Sequence, residues 1–210
     1  QKCEQLLLAN HNVSGYIDAV NEHDGTTALV CAVKYSLDWS WNVLNVQYTN
    51  KYMPLAVVRL LLAYGAKIEC GADPGAALHY AIRKTPSNEY MHLFLESPQN
   101  IDVNQKFGGC SALLEAVMEL RERKEGVREQ ISTLLSRGAD PNTVDMRGNS
   151  LLHRVDVVDK WLVNELKVFD VNFNLKGEYG RTPLHRLIYF ENLDIRSKKF
   201  HKEPRLREDI

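Results

Sequence analysis

Short apolar stretches alternate with polar, turn-forming stretches along the whole chain, and one four-residue phrase opens several of the apolar stretches. Its clearest copy is Thr182-Pro183-Leu184-His185. Weaker copies begin at residues 27, 76, 111 and 150, so the five copies start 49, 35, 39 and 32 residues apart. Self-similarity near one period predicts an array of stacked units rather than a single globular core.

Each copy of the phrase has the features of a helix start. A leading Thr or Ser can cap the first free amides of a helix, and Pro183 stands where the first helical turn tolerates proline. About 25 residues after the better copies comes a second apolar run, as at 58–66 and 131–142. Gly65 and Gly138 in these runs can adopt the left-handed conformation that ends a helix. The pattern therefore predicts an all-α fold of paired helices joined by turns.

The phrase, its spacing and its endings resemble the ankyrin repeat, which carries a Thr-Pro-Leu-His signature and has a period of about 33 residues. An Asp-Val-Asn-like step at 101–104 and 170–172 strengthens the resemblance, which covers nearly the whole chain. It implies an ankyrin-repeat solenoid of stacked helix-turn-helix units with projecting finger turns, because one helix pair cannot bury its apolar face alone. It also implies structural roles for Thr27, Leu29, Leu78, His79, Leu113, Leu152, His153, Thr182, Pro183, Leu184 and His185.

The repeat boundaries follow from the positions of the phrase. Residues 1–210 are expected to form a single array with an N-terminal half repeat at 1–21. The further repeats are expected at 22–70, 71–105, 106–144, 145–176 and, in degenerate or truncated form, 177–210. We favour truncation of a longer array for the last of these.

The first full repeat contains an insertion near 37–51, between its two helices. The insertion holds Trp39, Trp41 and Tyr48, and aromatic side chains of this kind often anchor interfaces. Two interpretations remain: the loop folds back over the core of the array, or it binds a partner. A second insertion, at 120–126, alternates in charge sign, which is typical of a solvated helix extension.

Composition and charge narrow the functional classes. The formal net charge is -1, so nothing favours nucleic acid or an anionic membrane as the main partner, and the basic segment at 196–207 has acidic neighbours. The chain contains 4 widely spaced cysteines and no CxxC pair, which predicts reduced thiols in an intracellular protein, cytoplasmic or nuclear. No apolar run approaches the ~18 residues of a membrane span, so we expect no membrane insertion.

Motifs for catalysis are missing from the sequence. It contains no Gly-rich phosphate-binding motif, no HExxH and no GxSxG. His79, His153 and His185 would lie about one repeat apart, ~10 Å or so, which is too far for them to share a metal ion. The resemblance implies instead that each histidine bonds an adjacent loop. We therefore expect a protein that is not an enzyme and that has no cofactor or metal site.

The remaining hypothesis is recognition of another protein, as an adaptor, scaffold or inhibitor. In ankyrin repeats the finger turns and first helices line a concave groove, which places the candidates for partner binding on the fingers and on the first insertion. These candidates are Trp39, Trp41, Tyr48, Asp73, Phe107, Met146, Arg147, Tyr179 and Arg181. One alternative is a regulatory sensor that binds a small ligand or nucleotide and controls an enzyme domain elsewhere in a longer protein. A second alternative is a structural spacer.

Overall fold

Helices dominate the computed structural model, which describes residues 16–35, 53–84, 88–120, 126–154 and 160–189. In chain order they are α1 (Ala28–Lys34), α2 (Met53–Ala63), α3 (Ala76–Lys84), α4 (Glu89–Leu95), α5 (Ala112–Leu120), α6 (Val127–Ser136), α7 (Leu151–Arg154), α8 (Lys160–Leu166) and α9 (residues 183–189). A 3-10 turn, Glu178–Gly180, precedes α9. The prediction of an all-α class is thus confirmed at the level of secondary structure.

Strand pairing in the described residues is limited to one short hairpin and one isolated bridge. Strands β1 (Lys106–Phe107) and β2 (Cys110–Ser111) form an antiparallel hairpin in which Phe107 faces Cys110. A single bridge joins Val144 to Ser150 at the corresponding place before α7. Both features therefore lie immediately before a helix that begins at one of the repeated phrases.

Contacts divide the chain into two units, Gln1–Asp140 and Pro141–Ile210. In the first unit α1 packs against both α2 and α3, α3 packs against α4 and α5, and α5 packs against α6. The helices that open each pair therefore lie side by side, and each contacts the second helix of its own pair. Ala77 and Ala81 on α3 are fully buried, and their small side chains allow the neighbouring helices to approach closely.

The core of the first unit is built from the apolar faces of these short helices. Leu29 and Val33 of α1, Val58 of α2 and Phe94 of α4 are buried in one cluster. Burying a side chain of this size contributes about 1.5–3 kcal/mol. Isolated helices this short are marginal in water, so the packing rather than helix propensity holds them. In the second unit Leu151, Leu162 and Leu166 are buried.

The helix starts are capped as the sequence predicts. The Thr27 hydroxyl accepts a hydrogen bond from the Val30 amide at 3.3 Å, and the Ser111 hydroxyl accepts one from the Leu114 amide at 3.3 Å. A side-chain cap of this kind stabilises a helix by about 1 kcal/mol. These caps confirm the roles assigned to the leading Thr and Ser in both phrases.

Successive turns are joined by side-chain amides that bond to backbone on both sides. The Asn104 amide nitrogen donates to the Gly138 carbonyl at 3.0 Å, and its oxygen accepts from the Asp140 amide at 2.7 Å. In the second unit Asn142 does the same with the Asp170 carbonyl and the Asn172 amide, each at 2.7 Å. Each side-chain amide therefore supplies hydrogen bonds to backbone groups at the end of the next turn.

His79 bridges α3 and the following turn from a buried position. Its Nε2 lies 3.4 Å from the Gln105 carbonyl oxygen, as the resemblance implies for this residue, and its ring packs on Phe107. The Nδ1 atom is buried and has no hydrogen-bond partner among the described residues. Burial lowers the pKa of His79 below its ordinary value of 6.5, because charge is disfavoured there.

We predict that replacing Gly138 with Ala destabilises the protein by about 1–2 kcal/mol. Gly138 ends α6 with φ 88°, and an added Cβ would meet nothing within 4 Å, so backbone strain alone sets the cost. Gly138→Asn is the matched control, because Asn tolerates the left-handed region better, and it should lose less. Thermal unfolding followed by circular dichroism measures both, and equal losses would contradict the explanation by strain.

A second prediction concerns pH. Because the pKa of His79 is lowered by folding, the unfolded chain binds a proton near pH 6.5 more readily than the folded one. Stability should therefore fall as pH drops from about 7.5 to about 5. At the higher pH we expect the His79→Gln variant to melt at a lower temperature than the wild type. As the pH drops, its melting temperature should fall less than that of the wild type. An equal fall in the two proteins across this range would contradict the role of His79.

Candidate functional site

The finger turn before α1 forms a small groove with α1 and α3 in the first unit. Its volume is 80 Å³, and Asp24, Lys34, Asp73, Tyr80 and Phe107 are among its lining residues. The Lys34 Nζ lies 5.2 Å from the Tyr35 ring, 5.9 Å from the Tyr80 ring and 3.7 Å from an Asp24 oxygen. The cation at the centre of the groove is thus held by the protein itself.

Asp24 is fixed in the ionised state at the edge of this groove. The Thr26 hydroxyl donates to its carboxylate at 2.7 Å and the Thr26 amide at 3.2 Å, which lowers the pKa of Asp24. Asp73, a predicted partner-binding residue, is exposed at the same groove. Asp24, Asp73 and a single lysine, Lys34, therefore line the groove, which offers no excess of positive charge.

Phe107 does not project from its finger as a free apolar tip. Its side chain is half-buried, and its ring lies 5.4 Å from that of Tyr80 and 5.6 Å from that of His79. The hairpin of β1 and β2 places the ring against α3, where it covers part of the core. Its burial against these two rings gives Phe107 a structural role, and nothing tests its predicted role in binding.

The first unit also contains a buried charge that the sequence analysis missed. Glu115 on α5 is buried, and its carboxylate accepts from the Arg83 Nε of α3 at 2.6 Å. The pKa of the Arg83 guanidinium is raised, mainly by this hydrogen bond. The pair joins neighbouring first helices, and removing Arg83 would leave a buried carboxylate unpaired.

The second unit contains a larger cleft, of 390 Å³, beside the 3-10 turn. Its lining residues come from the start of α7, the 3-10 turn and α9: Asn149, His153, Glu178, Tyr179, Arg181, Arg186 and Tyr189. Two of them, Tyr179 and Arg181, are predicted partner-binding residues. Asn149 and Tyr189 are not among the residues predicted for partner binding.

The turn at 177–181, here called the Tyr179 finger, is fastened to α7 by two buried side chains. The His153 Nε2 lies 2.8 Å from the Arg181 backbone carbonyl oxygen. The Asn149 side-chain oxygen, Oδ1, accepts a hydrogen bond from the Glu178 backbone amide at 3.1 Å. The Ser150 amide lies 3.1 Å from His153 Nδ1. The ring therefore accepts at Nδ1 and donates at Nε2, which fixes its tautomer.

Gly177 lets the Tyr179 finger approach α7 this closely. A Cβ at this position would lie 2.6 Å from the Asn149 side-chain oxygen and 2.8 Å from His153 Nε2. The Gly177 amide also donates to the Arg181 carbonyl at 2.8 Å, which closes the turn. The carbonyl of Arg181 is thus held from both sides, and its side chain starts from a fixed backbone.

Tyr179 occupies the tip of the Tyr179 finger in an unfavourable backbone conformation. Its φ is 61°, and it is the only described residue other than glycine with a positive φ. Its side chain is 81% exposed. A left-handed conformation costs a non-glycine residue roughly 1–2 kcal/mol, and this side chain recovers little of that cost by burial.

Arg181 lies over two aromatic rings. Its guanidinium carbon is 4.5 Å from the centre of the Tyr189 ring and 5.3 Å from that of Tyr179. Distances below about 6 Å define a cation–π contact. The exposed tyrosine at the tip and the tyrosine of α9 therefore flank the same cation.

The preceding finger contains Met146 and Arg147, both predicted partner-binding residues. Met146 is 78% exposed, and the Arg147 guanidinium lies 3.8 Å from the Glu178 carboxylate of the Tyr179 finger. Asp145 anchors this finger by accepting from the amides of Arg147 and Asn149 at 2.8 and 2.9 Å. Burial opposes ionisation of Asp145, but these amides and the Arg154 guanidinium together lower its pKa.

Several predicted residues are placed elsewhere. Trp39, Trp41 and Tyr48 lie outside the described residues. Among the motif residues Leu29, Leu78, Leu113 and His153 are buried, whereas Leu184 is 64% exposed on α9.

Within the described part of the chain, no group of three or more His, Cys, Asp or Glu side chains is placed to hold a metal ion. None of the described helices is long and apolar enough to cross a membrane.

No family model and no curated protein matches the chain.

We predict that His153→Ala loosens the Tyr179 finger. The substitution removes the bond to the Arg181 carbonyl and leaves buried groups unpaired, which costs about 1–3 kcal/mol. Amide hydrogen exchange at residues 177–181 should accelerate. His185→Ala is the matched control, because His185 has the same position in its copy of the repeated phrase, but its side chain is exposed. Equal exchange rates in the two variants would show that His153 does not hold the finger.

Proposed function

We propose that the chain is an ankyrin-repeat array that binds another protein through its finger turns. The repeated phrase, the capped first helices and the side-chain amides that join successive turns support this assignment to a repeat family. In the first unit, the side-by-side packing of α1, α3 and α5 is the arrangement expected of stacked helix pairs. The function would be that of an adaptor, scaffold or inhibitor.

The observation that carries the proposal is the conformation of Tyr179. A large aromatic side chain, 81% exposed, stands at a tip where the backbone favours glycine. Neither its exposure nor its φ stabilises the folded chain, so a role outside the fold accounts for it best. Tyrosine and arginine are enriched among the residues that dominate binding energy at protein interfaces, and Arg181 lies beside it.

The neighbouring features fit a protein partner better than a small ligand. The cleft beside the Tyr179 finger is lined mainly by polar and charged side chains, whereas pockets for small ligands are predominantly apolar. Met146 adds an exposed apolar side chain on the adjacent finger. A surface of separate aromatic, arginine and methionine side chains is typical of a protein interface.

We predict that Tyr179→Gly abolishes capture of the partner without destabilising the fold. The substitution removes the aromatic side chain and relieves the positive φ, so the melting temperature should stay the same or rise. Loss of one interface anchor costs about 2 kcal/mol or more, or roughly 30-fold in Kd. Affinity purification on the tagged full chain, followed by calorimetry with the purified partner, measures the effect.

Tyr16→Ala is the matched control, because Tyr16 is also highly exposed but belongs to the first unit. It should retain the partner. A Tyr179→Gly protein that binds the same partner with unchanged affinity would contradict the proposed site. A chain that captures no protein, but whose melting temperature rises with a nucleotide, would favour the regulatory sensor instead.

A further inference from the structure

The geometry points to a site for an acidic side chain at the cleft of the second unit. We propose that Arg181, flanked by Tyr179 and Tyr189, binds an aspartate or glutamate in an extended peptide segment of the partner. The inference rests on the proposed function, since it names the chemistry of the partner at the same finger. It goes further in assigning the ionic contact to one side chain.

The first support is the state of Arg181. The nearby carboxylates already have arginine partners, because Glu178 pairs with Arg147 and Asp145 with Arg154. Arg181 makes no ion pair with a carboxylate in the described part of the chain, and its charge instead lies over two rings. Arginine in this position retains its N–H groups for a carboxylate, which it can bind with two parallel hydrogen bonds.

The second support is preorganisation. The Arg181 carbonyl is bonded by the His153 ring and by the Gly177 amide, both at 2.8 Å. The rings of Tyr179 and Tyr189 restrict the guanidinium itself. A side chain that is held before binding loses less conformational entropy when the complex forms, so more of the contact energy remains as affinity.

The third support is the composition of the surroundings, which favours a peptide over nucleic acid. Among the described residues that line the cleft, Glu178 is the one acid, and it already pairs with Arg147. The Arg181 guanidinium therefore suits a single carboxylate, whereas the formal net charge of -1 does not favour the phosphate backbone of a nucleic acid.

Selection from a displayed library tests the inference. Random peptides of about 12 residues would be selected on the full chain, and the best would be synthesised in four forms, with Asp, Glu, Asn or phosphoserine at the enriched position. Binding of each form is then measured by fluorescence anisotropy. We expect Asp or Glu to be enriched at one position, and the Asn form to bind at least about tenfold more weakly.

Two variants separate Arg181 from charge in general. Arg181→Gln should weaken binding of the acidic peptide by about tenfold or more. It should change binding of the Asn peptide little, because the substitution in the protein and that in the peptide remove the same contact. Lys176→Gln is the matched control, since it removes the same charge from the adjacent, exposed part of the turn without lining the cleft. It should change binding by less than about twofold. Circular dichroism verifies that both variants fold.

Other outcomes would overturn the inference. These are selected peptides without an acidic residue, acidic peptides that bind Arg181→Gln as well as wild type, and tighter binding of the phosphoserine form or of a single-stranded RNA. A protein partner that is lost from Tyr179→Gly, but whose binding is insensitive to Arg181→Gln, would refute the acidic site and leave the proposed function standing. Failure to capture any protein or peptide would refute both.

Discussion

Several turns in the described part of the chain are completed by side chains of a preceding turn or helix in the same unit. A short helix pair leaves amides and carbonyls exposed at its ends, and it cannot supply partners for all of them. Asn104 bonds the backbone of the turn after α6, and His153 and Asn149 bond that of the Tyr179 finger. Because these bonds connect residues 28 to 34 positions apart, the turns take their conformation from contacts between distant parts of the chain, not from local sequence alone.

This dependence links the fold to the candidate site. The buried residues of α7, such as Leu151 and His153, would be of little use for recognition if the Tyr179 finger moved freely. The bonds from Asn149 and His153 transfer the rigidity of buried side chains to an exposed turn. For the proposed acidic site, rigid presentation matters most at Arg181, whose long side chain would otherwise lose much rotational freedom on binding. The tyrosines on either side also contact its guanidinium, so less ordering would remain for the moment of binding.

Features encoded within a few residues could be predicted from the sequence. The caps at Thr27 and Ser111 and the left-handed glycines, Gly65 and Gly138, follow from local backbone chemistry. The cleft could not be predicted in the same way, because Asn149 and Tyr189 are forty positions apart and meet only in space. Phe107 shows the same limit, since its contact with Tyr80 depends on how a hairpin folds over α3. The exposed Leu184 has the same motif position as the buried Leu78, so the motif alone does not set burial.

Gly177 has a consequence for how such a surface can change over time. A Cβ there would lie 2.6 Å from the Asn149 side-chain oxygen and 2.8 Å from His153 Nε2, so a substitution would displace these side chains or the turn that they hold. Tyr179, two positions later, projects into solvent and touches little of the fold. In the proposed role, mutations at the tip would alter which protein is recognised while the scaffold beneath stays intact. Evolution of a new specificity would then need only single substitutions at exposed positions, each free of the penalty that a change in the scaffold carries.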